Sequence, residues 1–257
     1  MKVVIIGSGN VATLLGSRIQ QAKHEILQVV SLNLAHARAL GTRLHCEVTN
    51  DFNNVHAGAE ICLVAIADSA LPHIHKVLRI RHSLVLHTAG SVSISTLKKI
   101  SRRYGVLYPL QSLRSNLEEI PEIPLLIDGN NAESLDMVTD FAHSISPIVQ
   151  RADDEQRLKL HMAAVVTGNF TNHLYALAEQ FCQKESVDFH LLAPLIMETA
   201  GRIRTLSPAS LQTGPAIRND RPTMSLHLKM LKRYPALKKI YRQISASIQD
   251  FHQDHPA

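Results

Sequence analysis

The 257-residue chain has no tryptophan, and Phe, Tyr and Trp together make up only 4% of it. Its cysteines, Cys46, Cys62 and Cys182, are odd in number and far apart. That excludes a disulfide framework and fits reduced thiols in a cytoplasmic protein. No apolar run approaches the roughly 20 residues that cross a bilayer. Met1-Lys2 leads straight into a strand, without a signal-peptide pattern. The 15 histidines, His73 and His75 among them, form neither HExxH nor a Cys/His zinc spacing, so no metal site is expected. The net charge is +5. Much of the excess lies in Lys98-Lys99, Arg102-Arg103, Lys229, Lys232-Arg233 and Lys238-Lys239, with no interleaved aromatics. These read as solvated helix faces rather than a nucleic-acid-binding stripe. A mild positive field also suits an anionic, phosphate-bearing cofactor.

What the chain does have begins at its first residues. Val3 to Ile6 is a continuous apolar, β-branched run, the pattern of a buried parallel strand. Gly7-Ser8-Gly9-Asn10-Val11-Ala12 follows, a G-x-G-x-x-A turn that opens a helix over 11–22. Gly7 permits the tight turn. Gly9, lacking a Cβ, lets a pyrophosphate approach the backbone. Ala12 is small enough for the helix to pack close to the strand, and the helix N-terminus presents N–H groups to phosphate.

Strand and helix patterns then alternate. Strands are predicted at 2–6, 26–30, 61–66, 83–87, 105–108, 125–127 and 148–150. Helices are predicted at 11–22, 35–44, 71–78, 94–104 and 133–144. Such alternation implies a parallel sheet covered on both faces. After Arg151 strand signals cease. Asp153, with Gln156 three residues on, reads as a capping box opening a helix that can run to Cys182, and helices are predicted at 191–204, 223–233 and 236–251. The expected architecture is α/β: a mostly parallel dinucleotide-binding domain over 1–151, then an all-helical domain over 152–257.

In an open α/β sheet the carboxyl ends of the strands line the ligand crevice. An NAD site usually has Asp or Glu at the end of the second strand. Here Ser31-Leu32-Asn33 stands there, followed by His36 and Arg38. Without a carboxylate, Ser31 and Asn33 favour NADP, with NAD still open. Ala67 and Asp68 end one strand, and Thr88, Ala89 and Gly90 follow another, small enough to let a nicotinamide ribose pass. His87 is a titratable group at that strand end. It serves either as an acid or as a side chain bonded to a nearby carbonyl. Tyr108 and Gln111 could also face the crevice. His161, Val165, Asn169 and His173 fall four apart, on one face of a helix. His161 is a candidate acid/base, since an imidazole titrates near neutrality, and Asn169 a candidate to orient the substrate. Arg218, beside Asp220 and Arg221 before a helix capped by Asp220 or Thr223, either binds an anion or belongs to a well-capped turn.

Several blocks together carry a resemblance. They are Gly7–Ala12, Val85-Leu-His-Thr-Ala-Gly90, Tyr108-Pro-Leu-Gln-Ser112, His161-Met-Ala-Ala-Val-Val-Thr-Gly-Asn169, Pro194-Leu-Ile196, and Thr213-Gly-Pro-Ala-Ile-Arg218 with Asp220 and His227-Leu228. The chain resembles, over nearly its whole length, the family that joins a Rossmann-like domain to the domain of unknown function DUF2520. That family is similar to pyrroline-5-carboxylate reductase, ketopantoate reductase and the 6-phosphogluconate and 3-hydroxyacid dehydrogenases. The resemblance implies hydride transfer in an interdomain cleft, and with the residues above the expected reaction runs between NADP(H) and a small, anionic carbonyl, imine or alcohol substrate. It also implies a homodimer through the helical domains. Two departures stand out. The family usually has His where this chain has Tyr108, and the dehydrogenases' Lys followed by Asn is not matched, because His161 is followed by Val165. An NADP(H)-binding sensor or adaptor without turnover is the rival expectation. Neither nucleic acid nor membrane is expected as a partner.

Overall fold

The computed structural model describes residues 1–80, 82–113 and 121–254. Eight strands form one sheet: β1 (Lys2–Ile6), β2 (Glu25–Val30), β3 (Glu47–Thr49), β4 (Ile61–Val64), β5 (Leu84–His87), β6 (Tyr104–Pro109), β7 (Leu125–Gly129) and β8 (Val149–Arg151). Their order is β3-β2-β1-β4-β5-β6-β7-β8. The helices are α1 (Asn10–Gln21), α2 (Leu34–Leu44), α3 (Ala132–Ile145), α4 (Asp154–Ala164), α5 (Thr171–Lys184), α6 (Ala193–Arg202), α7 (Arg221–Met230) and α8 (Pro235–Asp254).

Period-two alternation along the strands builds two cores, one on each face of the sheet. Val3 and Ile5 pack with Leu15, Ile19, Leu40 and Phe141 on the face covered by α1, α2 and α3. Val4 and Ile6 pack with Cys62, Val64, Leu71, Ile74 and Leu97 on the other. Each fully buried Leu, Ile or Phe contributes about 1.5–3 kcal/mol, so burial of both faces is what holds the sheet together.

Register places the strand ends. Ile6 pairs with Val30 and with Val64, Val64 with His87, and His87 with Val106. Gly7, Ser31, Ala65 and Thr88 therefore leave the sheet side by side at its carboxyl edge. The strand order reverses at β1, flanked by β2 and β4, which is where such sheets bind ligands.

The structure corrects several sequence expectations. The pair β6–β7 runs antiparallel, inside an otherwise parallel sheet. The three-residue edge strand β3 pairs only with β2 and is too short to leave a periodic signal. The helices expected over 71–78 and 94–104 are six-residue 3-10 turns, Leu71–Lys76 and Ile94–Lys99. Pairing of Tyr104 with Val85 draws the end of the second into β6, so Arg102 and Arg103 precede a strand and lie on no helix face.

Asp153 caps α4 with the expected reciprocal box: its side chain accepts the Gln156 N–H, and the Gln156 side chain accepts the Asp153 N–H. Asp220 caps α7 by accepting the Thr223 N–H. Beyond α4 the backbone widens into a π turn over Val165–Phe170.

The chain divides into two compact units, Met1–Asn169 and Phe170–Ala257. The second is helical and thinly cored. Among its described residues only Cys182, Ala216, Leu231 and Ser245 are buried, and α6 buries none. No helix of the described residues is long and apolar enough to cross a membrane.

Candidate active site

The glycine turn is built for close approach. Gly7 has φ +116°, and a Cβ there would collide with the Ala65 carbonyl oxygen. A Cβ at Gly9, by contrast, would meet nothing within 4 Å. Gly9 is the N-cap of α1, and no side chain caps that helix. Ala12 is fully buried against the sheet. Open space at Gly9 and an uncapped helix N-terminus are what a phosphate requires, so this turn fits a dinucleotide.

Beside the turn lies a groove of about 440 Å³ lined by Ser8, Gly9, Asn10 and Thr13 on one side and by His36, Ala39, Leu40 and Arg43 of α2 on the other. Positions 36, 40 and 43 share one face of α2, following helical spacing. Ser31 Oγ lies 2.9 Å from Ser8 Oγ, joining the end of β2 to the glycine turn. Asn33 caps α2 through its Oδ1, which accepts the His36 N–H at 3.0 Å. Arg38 points elsewhere, into a groove with Glu25 and His56. The basic group that sequence reasoning missed is Arg43. The face that carries His36 continues to it, and that spacing was the available signal.

On the other side of β1, the Thr88–Gly90 segment meets α4. His161 lies over Gly90 so closely that a Cβ on that glycine would stand 2.6 Å from His161 Nδ1 and 2.9 Å from Tyr108 Cζ. The Tyr108 hydroxyl is 2.9 Å from His161 Nδ1, and the two rings meet edge to face with centroids 5.8 Å apart. Burial pushes the Tyr108 phenol above its ordinary range, the negative charge of Asp68 adds to that, and the positive charge of Arg157 opposes it. The phenol therefore holds its proton and can donate it to His161 Nδ1, and Nε2 is the ring's other nitrogen. Asp68 accepts the Ser91 hydroxyl at 2.7 Å, which holds the ends of the loops after β4 and β5 together.

His87 is fully buried. Its Nδ1 accepts the Ala89 N–H at 3.2 Å, so its proton resides on Nε2. Nε2 finds no partner of good geometry, although the Ser93 backbone lies near enough to favour the charged form slightly. Burial, then the nearby Arg157 charge, push its pKa down to about 3. His87 is thus a neutral strut under the 88–90 segment. Asn169 lies within the π turn and is exposed. In a π turn the bonds run i→i+5, so the four-residue spacing expected to stack it over His161 fails beyond Val165. Arg218 is exposed in the helical unit, just before α7. Gln111 is exposed, and its Oε1 accepts the Ser112 N–H.

A Rossmann-like domain model matches residues 1–111, and the model for the domain of unknown function DUF2520 matches residues 123–248. A solved structure from Bacteroides fragilis, a candidate NADP oxidoreductase, is 37% identical, with TM-score 0.91 and coverage of 97% of this chain and 98% of that one. The chain belongs to the Rossmann-like/DUF2520 family. Members of wider fold relatives share the architecture at low identity. The 1-pyrroline-5-carboxylate reductase of Streptococcus pyogenes is 15% identical with TM-score 0.66, covering 97% of this chain and 98% of that one. A reductive aminase of Aspergillus terreus, solved with NADPH and ethyl levulinate, is 13% identical with TM-score 0.71, covering 99% and 94%. No curated protein matches in sequence. In this DUF2520 protein the Tyr before Pro109-Leu110-Gln111 makes a specific contact with His161, so the departure from His leaves a polar pair in place.

Proposed function

We propose that the protein is an NADP(H)-dependent reductase of a small, anionic carbonyl or imine, or a dehydrogenase of the corresponding alcohol. The observation that carries this is the Tyr108–His161 pair seated on Gly90, at the same sheet edge as the open glycine turn. The candidate NADP oxidoreductase of B. fragilis, at 37% identity, supports it. Bound in the groove between the glycine turn and α2, NADP(H) would supply or accept the hydride.

The chain's own residues would do the rest. Gly7 to Ala12 present backbone to the pyrophosphate, Ser31 holds the ribose, and His36 with Arg43 face a 2′-phosphate. Asp68, Thr88, Ala89 and Gly90 form the floor beside the nicotinamide. His161 would give its Nε2 proton to the substrate oxygen or nitrogen as the hydride reaches carbon, while Nδ1 takes the Tyr108 phenol proton and the charge is left on that oxygen.

Titration with NADPH and NADH, followed by nicotinamide fluorescence, tests the cofactor. Micromolar NADPH binding with weaker NADH binding is expected, and no binding of either overturns the reading. A screen of small keto acids and cyclic imines tests the reaction. Binding without turnover on any of them would instead make the protein a sensor.

We also propose that a second copy covers the helical unit. A unit with so few buried residues leaves Leu191, Leu195 and Met197 more than 60% exposed, and an exposed apolar patch of this kind is characteristic of an interface. Sedimentation should give a dimer, and a monomer at micromolar concentration overturns this proposal.

A further inference from the structure

Arg157 is the largest fully buried side chain among the described residues, 1% exposed. Its Nη2 donates to the Val92 carbonyl at 2.6 Å and to Asp154 Oδ1 at 2.6 Å. Asp154 Oδ1 also accepts the Ile94 N–H at 3.0 Å. The first turns of α4 are thus fastened to the segment after Gly90, one helical turn ahead of the His161 that rests on that glycine. Yet Nε and Nη1 are buried without partners. A buried, half-satisfied guanidinium is a poor stabiliser, since apolar replacements of buried ion pairs are often neutral or better. Its place next to the Tyr108–His161 pair gives it another use.

We propose that Arg157 is a positioning residue for the Tyr108–His161 pair, clamping the 92–94 segment to α4 and keeping a fixed positive charge within electrostatic reach of the Tyr108 phenol. The clamp sets the height of His161 over Gly90. The charge favours the electron density that builds on the Tyr108 oxygen as its proton shifts toward His161. The other groups around this pair are Asp68, which opposes that effect, Asp154, which neutralises part of it, and His87, which stays neutral. The inference rests on reading Tyr108 and His161 as the reacting pair, but its test needs neither cofactor nor substrate.

The test is nuclear magnetic resonance of the full chain carrying ¹³C-labelled tyrosine and ¹⁵N-labelled histidine, with Tyr108 assigned through Tyr108→Phe. In Arg157→Met, and in the double variant Asp154→Asn/Arg157→Met that leaves no unpaired carboxylate, the Tyr108 titration midpoint should rise by about one pH unit. The His161 Nδ1 resonance should lose its hydrogen-bonded shift. Arg157→Lys should restore the midpoint but not the His161 geometry. Unchanged Tyr108 and His161 signals in a variant folded by circular dichroism overturn the proposal. Should none of the variants fold, the wild-type Arg157 Nε–H decides: a slowly exchanging, restricted signal supports the clamp, and a fast-exchanging, freely rotating one refutes it. Loss of NADPH binding in the wild type would sink the reductase reading and leave this result standing.

Discussion

The Tyr108 hydroxyl and His161 Nδ1 stand 2.9 Å apart although 53 positions separate them in the chain. The contact joins the end of β6 to α4 directly over the loop that follows β5. Removing the hydroxyl with Tyr108→Phe should cost about 1 kcal/mol of stability and lower turnover by roughly 10-fold to 100-fold. Steady-state kinetics and thermal unfolding on the same preparation would check both. Unaltered turnover would leave the phenol without a role in proton transfer.

His161→Asn keeps a polar group over Gly90 but removes the proton donor. Turnover should fall by about 100-fold or more, with NADPH affinity close to that of the wild type. If affinity fell in step with turnover, His161 would be a cofactor contact rather than an acid.

The two glycines of the turn should fail in different ways. Gly7→Ala meets the Ala65 carbonyl and a positive φ, so it should destabilise the fold by about 1–3 kcal/mol. Gly9→Ala enters open space, so melting should be unchanged while NADPH binding is lost. Calorimetry and fluorescence titration separate the two outcomes.

Arg43→Ala should reduce NADPH affinity about tenfold, equivalent to about 1.4 kcal/mol, and leave NADH affinity unchanged. Arg38→Ala should do neither, because Arg38 faces the groove on the other side of α2.

Stability should also respond to pH through His87. Its pKa is about 3 when folded, below the ordinary value of 6.5 it regains on unfolding. Between these values the unfolded chain binds the extra proton, so stability is full above about pH 6.5 and falls as pH drops toward 3, by roughly 1.4 kcal/mol per pH unit. In His87→Asn, whose side-chain oxygen can still accept the Ala89 N–H, the denaturant midpoint should vary less over this window. An identical slope in the variant would assign the acid sensitivity to other groups.

Local patterns were legible in the sequence, and long-range ones were not. The apolar run Val3–Ile6, the glycine turn and the Asp153–Gln156 box each announce themselves within six residues, because the physics that forms them is local. The antiparallel β6–β7 pair depends on which strand finds which neighbour, and no residue in either encodes direction. Arg157 sits among charged residues in a segment that reads as a solvated helix start, and only tertiary packing makes it the most deeply buried guanidinium among the described residues. His161 was visible as a titratable residue on a helix and Tyr108 as a residue at a strand end, but their contact across 53 positions was not. Arg43 was hidden by Arg38, which is nearer the strand end in sequence but on the wrong side of its helix.

The π turn over Val165–Phe170 has a consequence for how such a chain can change. A π turn is an α-helix that holds one residue more than its hydrogen bonds would normally allow. Inserting or deleting a single residue there rotates everything that follows about the helix axis, while His161 and its contacts stay where they are. The turn thus behaves as an indexing joint, at which a one-residue change can bring a different side chain, Asn169 or a neighbour, to the same azimuth without disturbing the Tyr108–His161 contact.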